Sequence, residues 1–240
     1  MSQHDAPSPL SPHEPLAEDE MCTMPLSVHA DPADWPAPVR ALGRVPGPQP
    51  PTTAPPLAEL TTLRVGGPVG RYVEAAGEAE LIDVVRQADA EGRPLLVIGG
   101  GSNILAADAG FDGVVVRDAR TEVELVSDSA CGGVQITATA GTTWDDLVRR
   151  AVASHWGGFA PLSGIPGTVG AAPVQNIGAY GTEVAELLAS VRAWDRAAGR
   201  TVHLPLSELR LAYRDSALKR SLTDPDVGAG RTWGPTGRWV

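Results

Sequence analysis

A stretch of 21 residues with no charged side chain, residues 161–181, limits what this chain can fold into more than any other feature. It contains five glycines, and its apolar residues follow neither the helical nor the strand period. Glycine at this density lets the backbone adopt positive φ and lets a ligand approach it closely. Its few polar side chains are neutral amides and hydroxyls, which can hydrogen-bond a flat heterocycle without adding charge. The stretch is therefore either a ligand-binding loop or a structural glycine-rich connection.

A second glycine-rich segment follows a short apolar run, residues 94–98, that is typical of a buried strand. A glycine turn after such a strand presents backbone N–H groups that can hold a diphosphate. The turn is not a P-loop, because no Gly-Lys-Ser/Thr follows it. It is not the dinucleotide fingerprint either, because the glycine spacing is wrong and no helix pattern follows. Taken by itself, it could equally be a plain turn.

Three sequence segments together indicate a family. GIPGTVGAAPVQNIGAYG, residues 164–181, resembles the flavin-site signature of the UDP-N-acetylenolpyruvoylglucosamine reductases. VIGGGSNIL, residues 97–105, and AYRDSALK, residues 212–219, agree with that family in order and spacing. The resemblance covers residues 57–222 and implies an α+β fold, namely the two-subdomain FAD-binding fold of the p-cresol-methylhydroxylase type.

The resemblance also implies cofactors, a substrate and a site. FAD would be the bound cofactor and NADPH the hydride source for reducing UDP-N-acetylglucosamine-enolpyruvate, a UDP-linked amino sugar of peptidoglycan synthesis. The glycine turn would hold the FAD diphosphate, the central stretch would line the isoalloxazine, two tyrosines would bind substrate, and one arginine would be catalytic. The residues that would hold the diphosphate are Gly99, Gly100, Gly101, Ser102 and Asn103, and those that would line the isoalloxazine are Pro173, Val174, Gln175 and Gly178. The tyrosines that would bind substrate are Tyr180 and Tyr213, and the arginine that would be catalytic is Arg214.

Arg214 has the chemistry that the implied reaction requires. Hydride addition to an enolpyruvyl group puts negative charge on its carboxylate, and arginine is a permanent, planar cation that can bind a carboxylate through two N–H groups. Preorganised cations of this kind contribute on the order of 3–4 kcal/mol to a transition state. The structural alternative is that Arg214 forms an ion pair with Asp215 or another acid.

The family's proton-donating serine and its glutamate lie beyond the Tyr-Arg-Asp-Ser motif, and we do not transfer the donor role to Ser216 or Ser221. We therefore expect this 240-residue chain to carry the flavin half of a reductase without its substrate domain, and to reduce the substrate poorly. Two alternatives stay open. One is another FAD-linked oxidase of the same flavin fold, and the other is a non-catalytic flavin-binding remnant.

Composition excludes several classes of function. A net charge of −10 argues against nonspecific nucleic-acid binding. Two cysteines make neither a disulfide framework nor a metal cluster, so we predict no metal site. Neither an apolar run long enough for a membrane span nor a secretion signal is found, and we expect a cytoplasmic protein. Protein partners are not predicted.

Residues 1–56 hold 14 of the 22 prolines and seven acidic residues, so we expect a disordered tail. Its prolines could instead be a ligand for a proline-binding module. We predict flavin-binding subdomains over residues 57–117 and 118–222, and a flexible end over residues 223–240 from which the substrate domain is missing.

Periodicity predicts the main elements. We expect strands over residues 71–75, 94–98 and 113–117, a helix over residues 78–91, and half-buried strands over residues 121–126 and 134–140. Thr143 and Asp146 are spaced like a capping box at the start of a second helix. Residues 189–196 and 200–204 are expected to form a hairpin, and residues 224–237 a flexible loop.

Overall fold

The computed structural model describes residues 54–129 and 133–240. Most of the predicted disordered tail and both cysteines, Cys22 and Cys131, lie outside these residues. Nothing in the structure bears on those predictions.

The first part of the described chain forms a three-stranded parallel sheet. Its strands are β1 (Val69–Ala75), β2 (Leu95–Val97) and β3 (Phe111–Asp118), in the order β1-β3-β2. The helix α2 (Glu78–Ala90) connects β1 to β2, as the apolar spacing predicts. A short helix, α1 (Leu57–Leu60), precedes the sheet.

Both faces of this sheet are covered, as parallel sheets require. On one face, Leu81, Val84, Val85 and Ala88 of α2 pack against Val114 and Val116 of β3. On the other face, Leu57 and Leu60 of α1 pack with Val69, Ile98 and Val115. Side-chain direction repeats every 3.6 residues in the helix and every two residues in the strand. The apolar residues of each element follow its own repeat, so each presents an apolar face to the core.

The second part of the described chain is built from hairpins and short helices. The hairpins are β4–β5 (Val123–Ser129 and Gly133–Ala138), β6–β7 (Gly178–Ala179 and Thr182–Glu183) and β8–β9 (Ser190–Asp195 and Arg200–Pro205). The helices are α3 (Trp144–Ala153), α4 (Ala172–Gln175), α5 (Leu206–Leu209) and α6 (Ala217–Arg220). Three 3₁₀ turns cover Ala160–Leu162, Val184–Glu186 and Gly234–Thr236. No helix in the described ranges is long and apolar enough to cross a membrane.

The core beneath the central glycine-rich stretch is centred on α3. Trp144, Leu147 and Val148 pack against Leu162 and Val184. The N–H of Trp144 Nε1 donates to the carbonyl of Leu162 at 2.9 Å, so that helix and glycine-rich stretch share a buried bond.

Two local predictions are wrong. The predicted capping box of α3 is absent, because the Thr143 side chain makes no capping bond. The N–H of Trp144 instead donates to the carbonyl of Gly167 at 3.0 Å, so the glycine-rich stretch takes the place of the cap. The hairpin β4–β5 is also more exposed than predicted: Leu125 and Val126 are 47% and 53% exposed. Only a few of its side chains, such as Ile136, reach a core.

The chain after α6 has defined turns where the sequence predicts a flexible loop. Trp233 is buried, donates from its indole N–H to Gly228, and lies between the guanidinium groups of Arg196 and Arg231. Thr236 Oγ1 accepts from Val97 N–H at 2.9 Å and donates to Leu95 O at 2.7 Å, which satisfies the free edge of β2.

The final residues extend the β8–β9 hairpin, with a bridge between Asp195 and Trp239. Trp194 and Val240 exchange both backbone hydrogen bonds. Arg238 donates from two guanidinium nitrogens to Asp195 at 2.9 and 2.6 Å. Contacts place the described residues in one compact unit. The division near residue 117 stays a prediction.

Candidate functional site

The glycine turn lies where the parallel strand β2 ends. In open α/β sheets, ligands bind outside the carboxyl ends of the strands. Gly101 has φ of +68°, and its carbonyl accepts from Thr62 N–H at 3.0 Å. A Cβ on Gly101 would lie 2.0 Å from the carbonyl oxygen of Leu60. Gly101 is therefore needed for packing against α1, whatever the turn binds.

The structure brings this turn against the central glycine-rich stretch. A Cβ on Gly99 would lie 2.6 Å from Thr168 Oγ1, and one on Gly100 would lie 3.1 Å from Gly167 Cα. The two segments approach closely because Gly99, Gly100 and Gly167 have no side chains at the contact, to which Thr168 contributes its hydroxyl. In the sequence the two glycine-rich segments are about 60 residues apart and are recognised separately. In the fold they are in contact, and we call this pair of segments the cradle.

Asp145 of α3 holds the start of the glycine-rich stretch. Its Oδ1 accepts from Gly164 N–H at 2.8 Å and from the Ser163 hydroxyl at 3.4 Å. The Gly164 N–H and the nearby guanidinium of Arg149 hold the pKa of Asp145 below its usual range. The charged side chain of Asp145 thus holds in place the start of a glycine-rich stretch that contains no charged residue.

Asn176 organises the end of this stretch. It ends α4 in the left-handed region, with φ of +43°, and is 1% exposed. Its Nδ2 donates to Glu183 Oε2 at 2.7 Å and to Ala212 O at 2.9 Å, while its Oδ1 accepts from Ala185 N–H at 3.3 Å. Asparagine tolerates this backbone conformation and supplies both donors and acceptor. Its position therefore sets where the Tyr-Arg-Asp-Ser segment lies.

Arg214 lies directly against the central stretch. One of its terminal nitrogens donates to Asn176 O at 3.0 Å, and the other donates to Gly178 O. Glu183 Oε1 is 3.8 Å from the guanidinium, and the Tyr213 ring centre is 5.1 Å from it. The alternative of an ion pair with Asp215 or another acid is met in its second form: Asp215 pairs with Arg220, and the acid beside Arg214 is Glu183.

Ser216 fixes the same segment from the other side. Its hydroxyl donates to Val174 O at 2.8 Å and accepts from Lys219 N–H at 2.9 Å, capping α6. The Ser221 hydroxyl is likewise engaged, donating to Leu218 O and accepting from Arg238 N–H. The hydroxyls of both buried serines are thus each engaged in two hydrogen bonds.

The predicted substrate-binding tyrosines line open surface near Arg214. Tyr180 is 92% exposed and Tyr213 is 82% exposed, and the Arg214 side chain is 39% exposed. Pro173 is buried, whereas Val174, Gln175 and Gly178 are partly exposed. Among these residues, Tyr213 and Gly178 contact Arg214, and the contacts of all of them with cofactor or substrate stay predictions.

An open groove of about 630 Å³ borders the glycine turn at Gly100. Thr62, Arg64 and Arg117 are among its lining residues. Within the described residues, the buried Nε of Arg117 has no hydrogen-bond partner, and its terminal nitrogen is 3.9 Å from Glu74. Burial, followed by the hydrogen bond to Glu74, raises the pKa of Tyr72 to about 12.

No group of three or more metal-ligating side chains occurs within residues 54–129 and 133–240.

Sequence reasoning did not single out Glu183 and Arg117 as site residues, and it counted Asn176 among the neutral polar side chains of the central stretch without giving it a separate role. Arg117 could have been found, because it ends a predicted strand, and that strand is parallel to its neighbours in the structure. The partnership of Asn176 with residues 183 and 212 depends on tertiary contacts that no local pattern reports.

Comparison with known proteins identifies relatives for the described region. The FAD binding domain family matches residues 69–205. UDP-N-acetylenolpyruvoylglucosamine reductase of Saccharopolyspora erythraea is 51% identical over 172 residues, covering 71% of this chain and 46% of that protein. The reductase of Cutibacterium acnes is 47% identical over 171 residues, covering 71% and 44%. The chain thus spans less than half the length of these curated relatives.

A solved structure agrees with the same assignment. The crystal structure of UDP-N-acetylenolpyruvylglucosamine reductase from Thermus caldophilus is 31% identical, with a TM-score of 0.53, covering 67% of this chain and 54% of that one. The predicted α+β FAD-binding fold is confirmed by this match and by the family match.

Proposed function

Because the chain belongs to the FAD binding domain family, we propose that it is the flavin-binding part of a UDP-N-acetylenolpyruvoylglucosamine reductase. In this proposal it uses NADPH to reduce UDP-N-acetylglucosamine-enolpyruvate to UDP-N-acetylmuramate in peptidoglycan precursor synthesis. The observation that carries the proposal is the docking of Arg214 on the backbone of the glycine-rich stretch. It puts a permanent cation beside the segment that the resemblance assigns to the isoalloxazine.

The residues present fit FAD. The contact of Gly99 and Gly100 with Thr168 and Gly167 leaves a turn without side chains, whose backbone N–H groups can approach a diphosphate. FAD would be held there by residues 99–103 and along residues 173–178, and would supply the hydride chemistry when bound. Among the residues that the structure describes, the buried Nε of Arg117 has no hydrogen-bond partner, and since Arg117 lines the adjoining groove, this N–H is a further donor for an anionic or polar ligand.

The chain's own contribution is binding and electrostatics. Arg214 would hold the substrate carboxylate and stabilise the negative charge that develops when the enolpyruvyl double bond is reduced. Tyr213, which lies beside Arg214, and Tyr180, which follows Gly178 in the chain, are both exposed and would contact the substrate. Proton delivery is not assigned to any described residue. A cytoplasmic location and the preference for NADPH stay predictions.

The experiment compares two polypeptides, each loaded with FAD under anaerobic conditions. One is the 240-residue chain, and the other is the same chain joined to the remaining part of the Saccharopolyspora erythraea reductase, which the alignment leaves uncovered. We expect NADPH to bleach the flavin in both, and UDP-N-acetylglucosamine-enolpyruvate to restore its absorbance in the joined protein. A joined protein whose reduced flavin is not reoxidised by this substrate would contradict the proposal.

The 240-residue chain is expected to restore the absorbance far more slowly, since loss of a general acid costs about 10²- to 10⁴-fold. An Arg214→Met variant of the joined protein should take the hydride from NADPH normally. It should pass the hydride to the substrate slowly, because the carboxylate has lost its cation.

A further inference from the structure

The orientation of Arg214 is set by backbone carbonyls. Its two terminal nitrogens donate to Asn176 O and Gly178 O, so the plane of the guanidinium is fixed by the glycine-rich stretch. Its Nε–H makes no hydrogen bond among the described residues, and the side chain is 39% exposed. Arg214 is thus oriented, charged and open to solvent on one side.

Glu183 is fixed beside Arg214 by other groups. Its Oε2 accepts from Asn176 Nδ2 at 2.7 Å, and its side chain also accepts the N–H of Glu186 in a capping box. Its Oε1 lies 3.8 Å from Arg214, which is too long for a hydrogen bond but short enough for a strong Coulomb interaction. The carboxylate therefore stays near the arginine without using up its donors.

The other charged groups around Arg214 are already engaged. Asp215 pairs with Arg220, and Lys219 Nζ donates to the carbonyl of Arg214 at 2.9 Å. The Glu186 carboxylate accepts from Glu183 N–H at 3.0 Å. Within the described chain, Glu183 is the acid that forms an ion pair with Arg214.

We propose that Glu183 is a positioning residue that sets the anion affinity of Arg214. It acts as a fixed internal counterion, holding Asn176 in place and reducing the positive field that a ligand carboxylate meets. The inference rests on the proposed function, in which Arg214 receives the carboxylate of an enolpyruvyl substrate. A counterion of this kind lets the site bind its substrate and release a carboxylate-bearing product, instead of retaining either.

Glu183→Gln separates the two roles of this side chain. The amide oxygen can still accept from Asn176 Nδ2, whereas the negative charge beside Arg214 is lost. Removing an adjacent opposite charge from a partly exposed site changes anion affinity by about two- to fivefold. We expect tighter binding of an anion, and the gain should shrink in about 0.5 M salt because exposed charges are screened.

The test uses the FAD-loaded chain with phosphoenolpyruvate as the probe, and follows the Arg214 Nε–H signal by NMR. Glu183→Gln should lower the dissociation constant of phosphoenolpyruvate. Glu183→Ala, which also removes the acceptor for Asn176, should raise it and weaken FAD retention. In an Arg214→Met background, the binding of phosphoenolpyruvate is followed by flavin absorbance instead. There, Glu183→Gln should leave the dissociation constant of phosphoenolpyruvate unchanged.

The possible failures are distinct. A parent chain that does not bind FAD would contradict the proposed function. FAD binding without any Arg214-dependent binding of phosphoenolpyruvate, or with unchanged or weaker binding in Glu183→Gln, would overturn the inference about Glu183. A purely structural role for Glu183 predicts that Gln and Ala both weaken binding, and that the effect does not depend on salt.

Discussion

At the scale of single residues, the site depends most on Asn176. Asn176→Asp keeps the side-chain shape but puts a second carboxylate at the 2.7 Å contact with Glu183 and removes the donor to Ala212. A buried group that loses its donors and gains a like charge costs about 2–4 kcal/mol. We expect that loss in urea unfolding, together with weaker FAD binding.

The matched control is Gln175→Glu, the same amide-to-acid change one residue earlier, where the side chain is only partly buried. It should alter the free energy of unfolding by less than about 1 kcal/mol. Equal losses in the two variants would mean that the bonds of Asn176 do not hold the site together.

Gly101 gives a second prediction at this scale. The family resemblance assigns Gly101 to the turn that would hold the FAD diphosphate, but a Cβ at this position would meet Leu60 O at 2.0 Å even without a ligand. Gly101→Ala should therefore destabilise the chain without FAD by about 3 kcal/mol or more, from overlap and positive φ together. Urea unfolding of the FAD-free protein measures this.

Gly199→Ala is the control, because Gly199 also has positive φ but nothing lies near its Cβ position. That variant should lose only about 1–2 kcal/mol from backbone strain. If Gly101→Ala unfolds no more easily than Gly199→Ala, the close packing of the turn on α1 is wrong.

At the scale of elements, the Asp195–Arg238 pair joins the final residues to the β8–β9 hairpin. Burial opposes ionisation of Asp195, but Arg238 and the N–H groups of Ala198 and Ala197 outweigh it and lower the pKa of its carboxyl. A lowered pKa stabilises the fold above the unfolded value of about 3.9, and this stabilisation is lost as pH falls through the folded value.

Asp195→Asn should therefore cost about 2–4 kcal/mol near neutral pH, because it leaves Arg238 without its carboxylate. The difference from the parent should shrink as the pH falls below about 4, where the parent also loses the charge. The control Asp83→Asn, in an exposed pair at 3.7 Å, should change stability by less than about 1 kcal/mol. A pH-independent loss for Asp195→Asn would contradict the ion-pair explanation.

Elements with strong local patterns were predictable, and those defined by tertiary contacts were not. The apolar spacing of α2 and the apolar run before Gly99 predict the sheet and its covering helix. Thr143 has the spacing of a cap, yet Gly167 supplies the partner instead, which only the folded chain can show. Trp233 likewise lies in a polar, glycine-rich segment whose sequence contains no signal for its stacking on Arg196.

At the scale of the whole molecule, the candidate site forms where three separate segments meet. The turn at Gly100 contacts Gly167, and the segment carrying Arg214 contacts Asn176 and Gly178. Family resemblance assigned the first two segments to the cofactor and the third to catalysis and substrate binding, and in the structure the central stretch contacts both of the others. The sequence could not show that Asn176 and Glu183 join the central glycine-rich stretch to the segment that carries Arg214.

The central claim is that these segments bind FAD, and the direct measurement is equilibrium binding of flavins to the purified 240-residue chain. We predict one FAD per chain. We also predict much weaker binding of FMN and riboflavin, because the cradle at Gly99 and Gly100 is assigned to the diphosphate that only FAD carries. Equal affinity for FAD and riboflavin, or no saturable FAD binding by a folded chain, would contradict the account.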